Sequence, residues 1–247
     1  MLRMTSGDPA KSGNTLSGGR FIALIPARAG SKGLPGKNWL EIEGQSLVAK
    51  AITSAHDSGA ISEVYVSSDD PRAVIDCTRL GAVNVVRSPQ AATDESTAAD
   101  VVRDFLRQVD PAQWNDDPFV VYLQPTSPLR TAAHVFQAIR LLSATTAQAC
   151  VSVVRTKVSP YKYVTLDESG LIKSLFGDNI ATSNRQSLPE TYVPNGALYV
   201  FRISNFLAIG DFPLSGAVPF VMSEQDSLDV DNLEDWNQFL KRVSENG

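Results

Sequence analysis

The sequence predicts an α/β fold of three layers, a mostly parallel sheet covered by helices on both faces, with one small excursion. Three observations carry that expectation. Short apolar runs at 21–25, 63–67, 119–123 and 149–154 alternate with segments of helical periodicity, the rhythm of βαβ units. Polar clusters follow several of those runs directly, at 28–38, 68–70, 87–97 and 124–130, where a parallel sheet opens its binding crevice. The chain has 247 residues, 43% hydrophobic and 20% charged, which suits one such domain with a full core.

The elements follow in order. Residues 21–25 read as a buried strand bounded by Pro26, and Gln45-Ser46 starts a helix over 47–56 that ends near Gly59. A strand at 63–67 leads to a helix that opens on Pro71 and stops at Gly81. A short strand at 84–87, a helix at 97–108, the strand 119–123, a helix at 134–143 and a strand at 149–154 complete the alternation. From 159 to 195 the rhythm changes. Residues 161–166 and 171–176 flank an Asp-Glu-Ser-Gly turn and form a hairpin, and a polar stretch follows. This excursion reads as a lid or a dimer contact. A core strand resumes at 197–201, and a helix over 233–243, capped by Asn232 or Asp231, closes the domain at 21–247.

Composition excludes several classes. A net charge of −5 leaves no basic surplus for general nucleic-acid binding. No apolar run approaches the ~18 residues needed to span a bilayer. Cys77 and Cys150 sit apart in a helix and a strand, as packed thiols do, so a reducing cytoplasm fits. Residues 1–20 lack the apolar centre of a signal peptide and read as a flexible leader.

The chemistry concentrates in a few stretches. The loop after the first strand carries Gly30, Gly33 and Gly36 with Arg28, Lys32 and Lys37. Its glycines would let backbone N–H groups approach phosphate oxygens, and its cations would add charge there. It is neither a Walker loop nor a dinucleotide fingerprint, so phosphate binding and an ordinary basic loop both remain open. Asp229 and Asp231 are two apart, which in extended chain puts both carboxylates on one side, about 6.5–7 Å apart at Cα. They suit a Mg²⁺ ion; alternatively, Asp231 caps the last helix and Asp229 is solvated. In Gln124-Pro-Thr-Ser-Pro-Leu-Arg130, neutral donors and one cation suit a polyhydroxylated ligand, or the stretch is a stiff connection. Arg185 could clamp a carboxylate, while Asn195-Gly196 reads as a turn by ordinary rules. Lys162 reads as solvated. His56 and His134 lack partner acids, so nucleophilic or histidine-based catalysis is not indicated.

These blocks, in this order, resemble the acylneuraminate (CMP-sialic acid) cytidylyltransferases over roughly residues 21–243. The likeness is carried by the loop 21–38 with its Lys37-Asn38 pair, by Arg87–Thr97, by Gln124–Arg130, by Arg185–Asn195-Gly196, and by Asp226-Ser-Leu-Asp229-Val-Asp231. It implies a Rossmann-like nucleotidyltransferase fold and a reaction that joins CTP to a nine-carbon 2-keto (nonulosonic) sugar acid, releasing pyrophosphate. It implies nucleotide contacts at Ala27, Arg28, Ala29, Gly30, Ser31, Lys32, Lys37 and Asn38. Arg87 would read the cytosine O2 and Ser96 or Thr97 would complete the base pocket, with either one free to cap the helix as well. Gln124, Thr126, Ser127, Arg130, Arg185 and Asn195 would face the sugar. Arg28, Lys37, Asp229 and Asp231 would carry catalysis, the aspartates holding Mg²⁺. The family commonly forms homodimers through the excursion. Three other readings stand: an eight-carbon (KDO-type) cytidylyltransferase, a sugar-1-phosphate pyrophosphorylase, and a catalytically silent sugar-nucleotide sensor.

Overall fold

The protein is described by a computed structural model over residues 19–246. The leader expected at 1–20 therefore lies outside the described residues up to position 18. Arg20 already belongs to the fold, its guanidinium bonded to Asp116 and Glu63 at 2.9 and 2.7 Å.

The chain runs β1 (Phe21–Pro26), β2 (Glu41–Ile42), β3 (Gln45–Ser46), α1 (Leu47–Asp57), β4 (Glu63–Ser68), α2 (Arg72–Leu80), β5 (Val83–Val86) and α3 (Ala98–Gln108). It continues through β6 (Phe119–Tyr122), α4 (Ala132–Ser143), β7 (Ala149–Arg155), β8 (Val164–Leu166), β9 (Ile172–Ser174) and the single turn α5 (Asp178–Ala181). It closes with β10 (Tyr192–Arg202), α6 (Ile203–Ile209), β11 (Val218–Val221) and α7 (Leu233–Asn246). Seven strands form one sheet in the order β11-β7-β10-β6-β1-β4-β5.

Alternation along the central strands builds two cores. Phe21, Ala23 and Ile25 of β1 face α1, α2 and α4, while Ile22 and Leu24 face α3 and α6. β6 divides in the same way, with Phe119 and Val121 on one face and Val120 and Tyr122 on the other. Burial on both faces explains why these runs are almost wholly apolar. Ser46 caps α1 through a bond from the Ala49 N–H, and Thr97 caps α3 in a reciprocal box with Asp100.

All neighbouring strands of this sheet are parallel except those of β10, which runs antiparallel to both β6 and β7. The chain reaches β10 through the excursion and not through a helical crossover, so its direction is free to reverse. The expected hairpin is present as β8 and β9. Several short pieces escaped the sequence reading, among them β2, β3 (where a helix start was expected) and α5. β11 is a four-residue edge strand containing Pro219, and α6 is seven residues long, ended by Gly210 at φ 79°. Both are too short to show periodicity.

Candidate active site

The carboxyl ends of β1, β5 and β6 open into a cleft of about 340 Å³. It brings together Arg28, Ser31, Lys37, Asn38, Arg87, Ser96, Thr97, Gln124, Thr126, Asp229 and Asp231, residues spread over two hundred positions of sequence. Tyr122, Pro26 and Val101 supply its walls.

The loop after β1 is fixed from below. Asp69, at the end of β4, accepts the Ala29 N–H at 2.8 Å, and the buried Asn38 donates to the Arg28 carbonyl at 3.0 Å. Ala27 is fully buried. Gly36 takes φ 67° where the chain turns into the short helix Lys37–Trp39. Gly33 packs so tightly that a Cβ there would stand 2.4 Å from the Asp231 carbonyl oxygen, which binds the loop to the aspartate segment. Lys32 does not line the cleft; its ammonium lies 3.1 Å from Asp94.

The aspartate segment is positioned by the residue between its carboxylates. Val230 is fully buried against Leu47 and Phe239, and its N–H donates to the Thr126 carbonyl at 2.8 Å. With Val230 pointing inward, Asp229 and Asp231 both turn to the cleft. Burial, foremost, and repulsion from Asp231 raise the Asp229 carboxyl above its ordinary range, against a hydrogen bond from Thr126. Its Oδ1 is buried and has no hydrogen-bond partner. Asp231 pairs with Lys37 at 2.6 Å. The cap of α7 is Asn232, whose Oδ1 accepts the Glu234 and Asp235 N–H groups, so neither carboxylate is used as a cap.

Arg87 is buried at 5% exposure and hydrogen-bonded to the Ser67 hydroxyl and carbonyl at 3.2 and 2.7 Å. Those bonds leave other donors of its guanidinium for the cleft, and burial lowers its pKa. Thr97 both caps α3 and lines the cleft, and Ser96 bonds the Gln90 carbonyl at 3.0 Å.

Four residues expected at the sugar do not line this cleft. Arg130 is buried and donates to the Gln124 and Ala197 carbonyls, both at 2.8 Å, while burial pushes its pKa down to about 9. It clamps the backbone beneath the cleft. Ser127 is buried beside it, 1% exposed. Asn195 is spent internally: its Oδ1 accepts from the Ser152 hydroxyl at 2.5 Å and its Nδ2 donates to the Ser227 hydroxyl at 2.9 Å. Arg185 lines a second cavity of about 600 Å³ beside Arg155, Lys157 and Glu190, which shares no lining residue with the first.

Two contributors were missed. Gly196, at φ 76°, leaves space that Gln124 fills, since a Cβ there would lie 2.5 Å from Gln124 Oε1. Read as an ordinary turn glycine, it gave no sign of its partner. Asp94 bonds Arg28 at 2.7 Å and was legible only as one acid in a polar stretch.

The cytidylyltransferase family pattern matches residues 22–178, well over half of the chain. The chain belongs to the cytidylyltransferase family. It is 33% identical over 217 residues, 87% of its length, to an N-acylneuraminate cytidylyltransferase of Streptococcus agalactiae serotype V, and covers 51% of that protein. It is 32% identical over 221 residues to a CMP-N,N'-diacetyllegionaminic acid synthase of Legionella pneumophila, covering 88% of this chain and 93% of that one. The chain thus spans about half the length of several curated relatives it matches. Among solved structures it resembles a CMP:2-keto-3-deoxy-manno-octonic acid synthetase complexed with CTP, with TM-score 0.66 and 16% identity over 92% of this chain and 100% of that one. That likeness, and the sheet order, give this family member the Rossmann-like nucleotidyltransferase fold. Among the described residues no helix is long and apolar enough to cross a membrane.

Proposed function

We propose that this cytidylyltransferase transfers CMP from CTP to the anomeric 2-hydroxyl of a nonulosonic acid and releases pyrophosphate. The observation that carries the reading is the single cleft that joins Arg28 and Lys37, Arg87, Gln124 and the Asp229-Asp231 pair. The names of relatives at 32–33% identity support the substrate class.

In this reading Arg87 and Thr97 hold the base, and Arg28, Lys37 and the N–H groups of the glycine loop face the triphosphate. Their positive charge would meet negative charge as it builds on the departing pyrophosphate, with the donors already in place. Gln124, fixed by the Arg130 clamp and by Gly196, would orient the sugar acid for in-line attack on the α-phosphorus. Asp229 and Asp231 would hold Mg²⁺. The fit rests on the orphaned, buried Asp229 Oδ1 and on a donor set of two carboxylates, which suits an ion completed by substrate phosphates. When bound, Mg²⁺ would neutralise phosphate charge and help ionise the attacking hydroxyl. We assign the excursion a role in homodimerisation. The two buried free thiols suit a reducing cytoplasm.

The test is pyrophosphate release with CTP and Mg²⁺ across sialic, legionaminic, pseudaminic and KDO acceptors. Chelator-sensitive release with one nine-carbon acid is the expected result. Release with KDO alone would move the protein to the eight-carbon class, and silence with all acceptors would leave a binding protein.

A further inference from the structure

Asp94 stands where the triphosphate loop meets the base-side segment. Its Oδ1 receives Arg28 Nη1 at 2.7 Å and its Oδ2 faces Lys32 Nζ at 3.1 Å, so each carboxylate oxygen holds one cation of the loop. Arg28 also donates to the Thr93 carbonyl at 3.3 Å. The segment that carries Asp94 is tied down on both sides at the cleft: Arg87 is anchored to Ser67 before it, and Thr97 caps α3 after it. Asp94 itself is exposed and holds no place in the core.

Two cations converging on one exposed carboxylate form the arrangement that a phosphate group would complete. We infer that Asp94 is the internal occupant of a distal-phosphate seat beside the cleft, formed by Arg28 of its lining and by the exposed Lys32 outside it, an anion that balances both cations and yields when a nucleoside triphosphate enters. The inference rests on the reading of the cleft as a nucleotide site. A hydrogen bond from Lys32 foremost, and then one from Arg28, holds the Asp94 carboxyl below its ordinary range, so it is charged at neutral pH.

The consequence is selective. A triphosphate or pyrophosphate must displace Asp94 from both cations, whereas a nucleoside monophosphate, which has no distal phosphates, need not. On the return path Asp94 recaptures the cations and helps pyrophosphate leave. Exposed ion pairs are individually weak, so the effect is modest: neutralising Asp94 should tighten binding of distal phosphates by roughly three- to tenfold.

The measurement is calorimetric titration of the full chain with CTP, CMP and inorganic pyrophosphate, for the unaltered protein, Asp94→Asn and Glu95→Gln. The neighbouring Glu95 is also exposed and serves as the control for general surface charge. Asp94→Asn should tighten CTP and pyrophosphate and leave CMP unchanged, and Glu95→Gln should change none of them. Unchanged or weaker CTP binding by Asp94→Asn, beside normal binding by the unaltered protein, would overturn the inference while keeping the nucleotide site. Equal tightening by Glu95→Gln would also overturn it. Failure of the unaltered protein to bind CTP would remove both readings.

Discussion

The fold disfavours the charged form of Asp229. Burial and the neighbouring Asp231 raise its folded pKa above the unfolded value, so its ionisation costs stability at neutral pH. The sign follows from proton linkage. A raised carboxyl pKa lowers stability above that pKa, and the cost disappears as pH falls below the unfolded carboxylate range. Asp229→Asn, which is nearly isosteric and neutral, should therefore raise the thermal midpoint at pH 7 by a few degrees in chelator. The gain should shrink toward pH 4, while turnover falls by about two orders of magnitude or more. Thermal unfolding at several pH values checks it. A lower midpoint at pH 7 would show that Asp229 is an ordinary structural carboxylate.

At the scale of elements, the site depends on an irregularity in β10. Its register against β7 shifts between Pro194 and Tyr199, and the Ser152 hydroxyl fills the gap by donating to Asn195 Oδ1 and accepting the Leu198 N–H at 2.9 Å. Asn195 then reaches Ser227, in the segment leading to Asp229, and Gly196 accommodates Gln124. Gly196→Ala would place a Cβ in a left-handed conformation, a cost of roughly 1–2 kcal/mol, and against Gln124 as well. The variant should fold with a slightly lowered midpoint but lose most of its kcat/KM, chiefly through a weaker apparent affinity for the sugar acid; unchanged kinetics would remove Gln124 from the acceptor side. The same region marks the limit of sequence reading. The strands of β1, β4 and β6 were legible because burial on both faces leaves continuous apolar runs, and the carboxylate pair was legible because extended chain has period two. The bulge was not, because what fixes it is Ser152, forty-three positions from Asn195. Nor could sequence separate Arg130, which is buried away from the cleft with Nη1 donating to two backbone carbonyls, from Arg87, which is anchored to Ser67 and lines the cleft.

At the scale of the whole molecule, the described chain leaves an apolar face unpartnered. Leu166, Leu171 and Ile172, on and beside β8 and β9, are 68%, 66% and 74% exposed, and Tyr163, Val164, Leu175 and Phe176 lie on the same excursion at about half exposure. Tyr161 and Phe176 pack at a tilt, ring centroids 5.0 Å apart, and are the hairpin's one ring contact among the described residues. A two-stranded ribbon with that little core is marginal in water unless something covers it, and clustered exposed aliphatics mark interaction surfaces. A second copy of the chain fits the homodimer proposed above, since each copy would bury the same face against its partner. Sedimentation at micromolar concentration should give twice the chain mass, 26.6 kDa. Ile172→Asp with Leu166→Asp should give monomer, with the near-ultraviolet spectrum of the aromatic cluster around Phe105 and Trp114 retained. If the unaltered protein sediments as a monomer, the excursion has another partner or acts as a lid. If the doubly substituted protein stays dimeric, the interface lies elsewhere on the fold, and the exposed hairpin is free to close over the ligand.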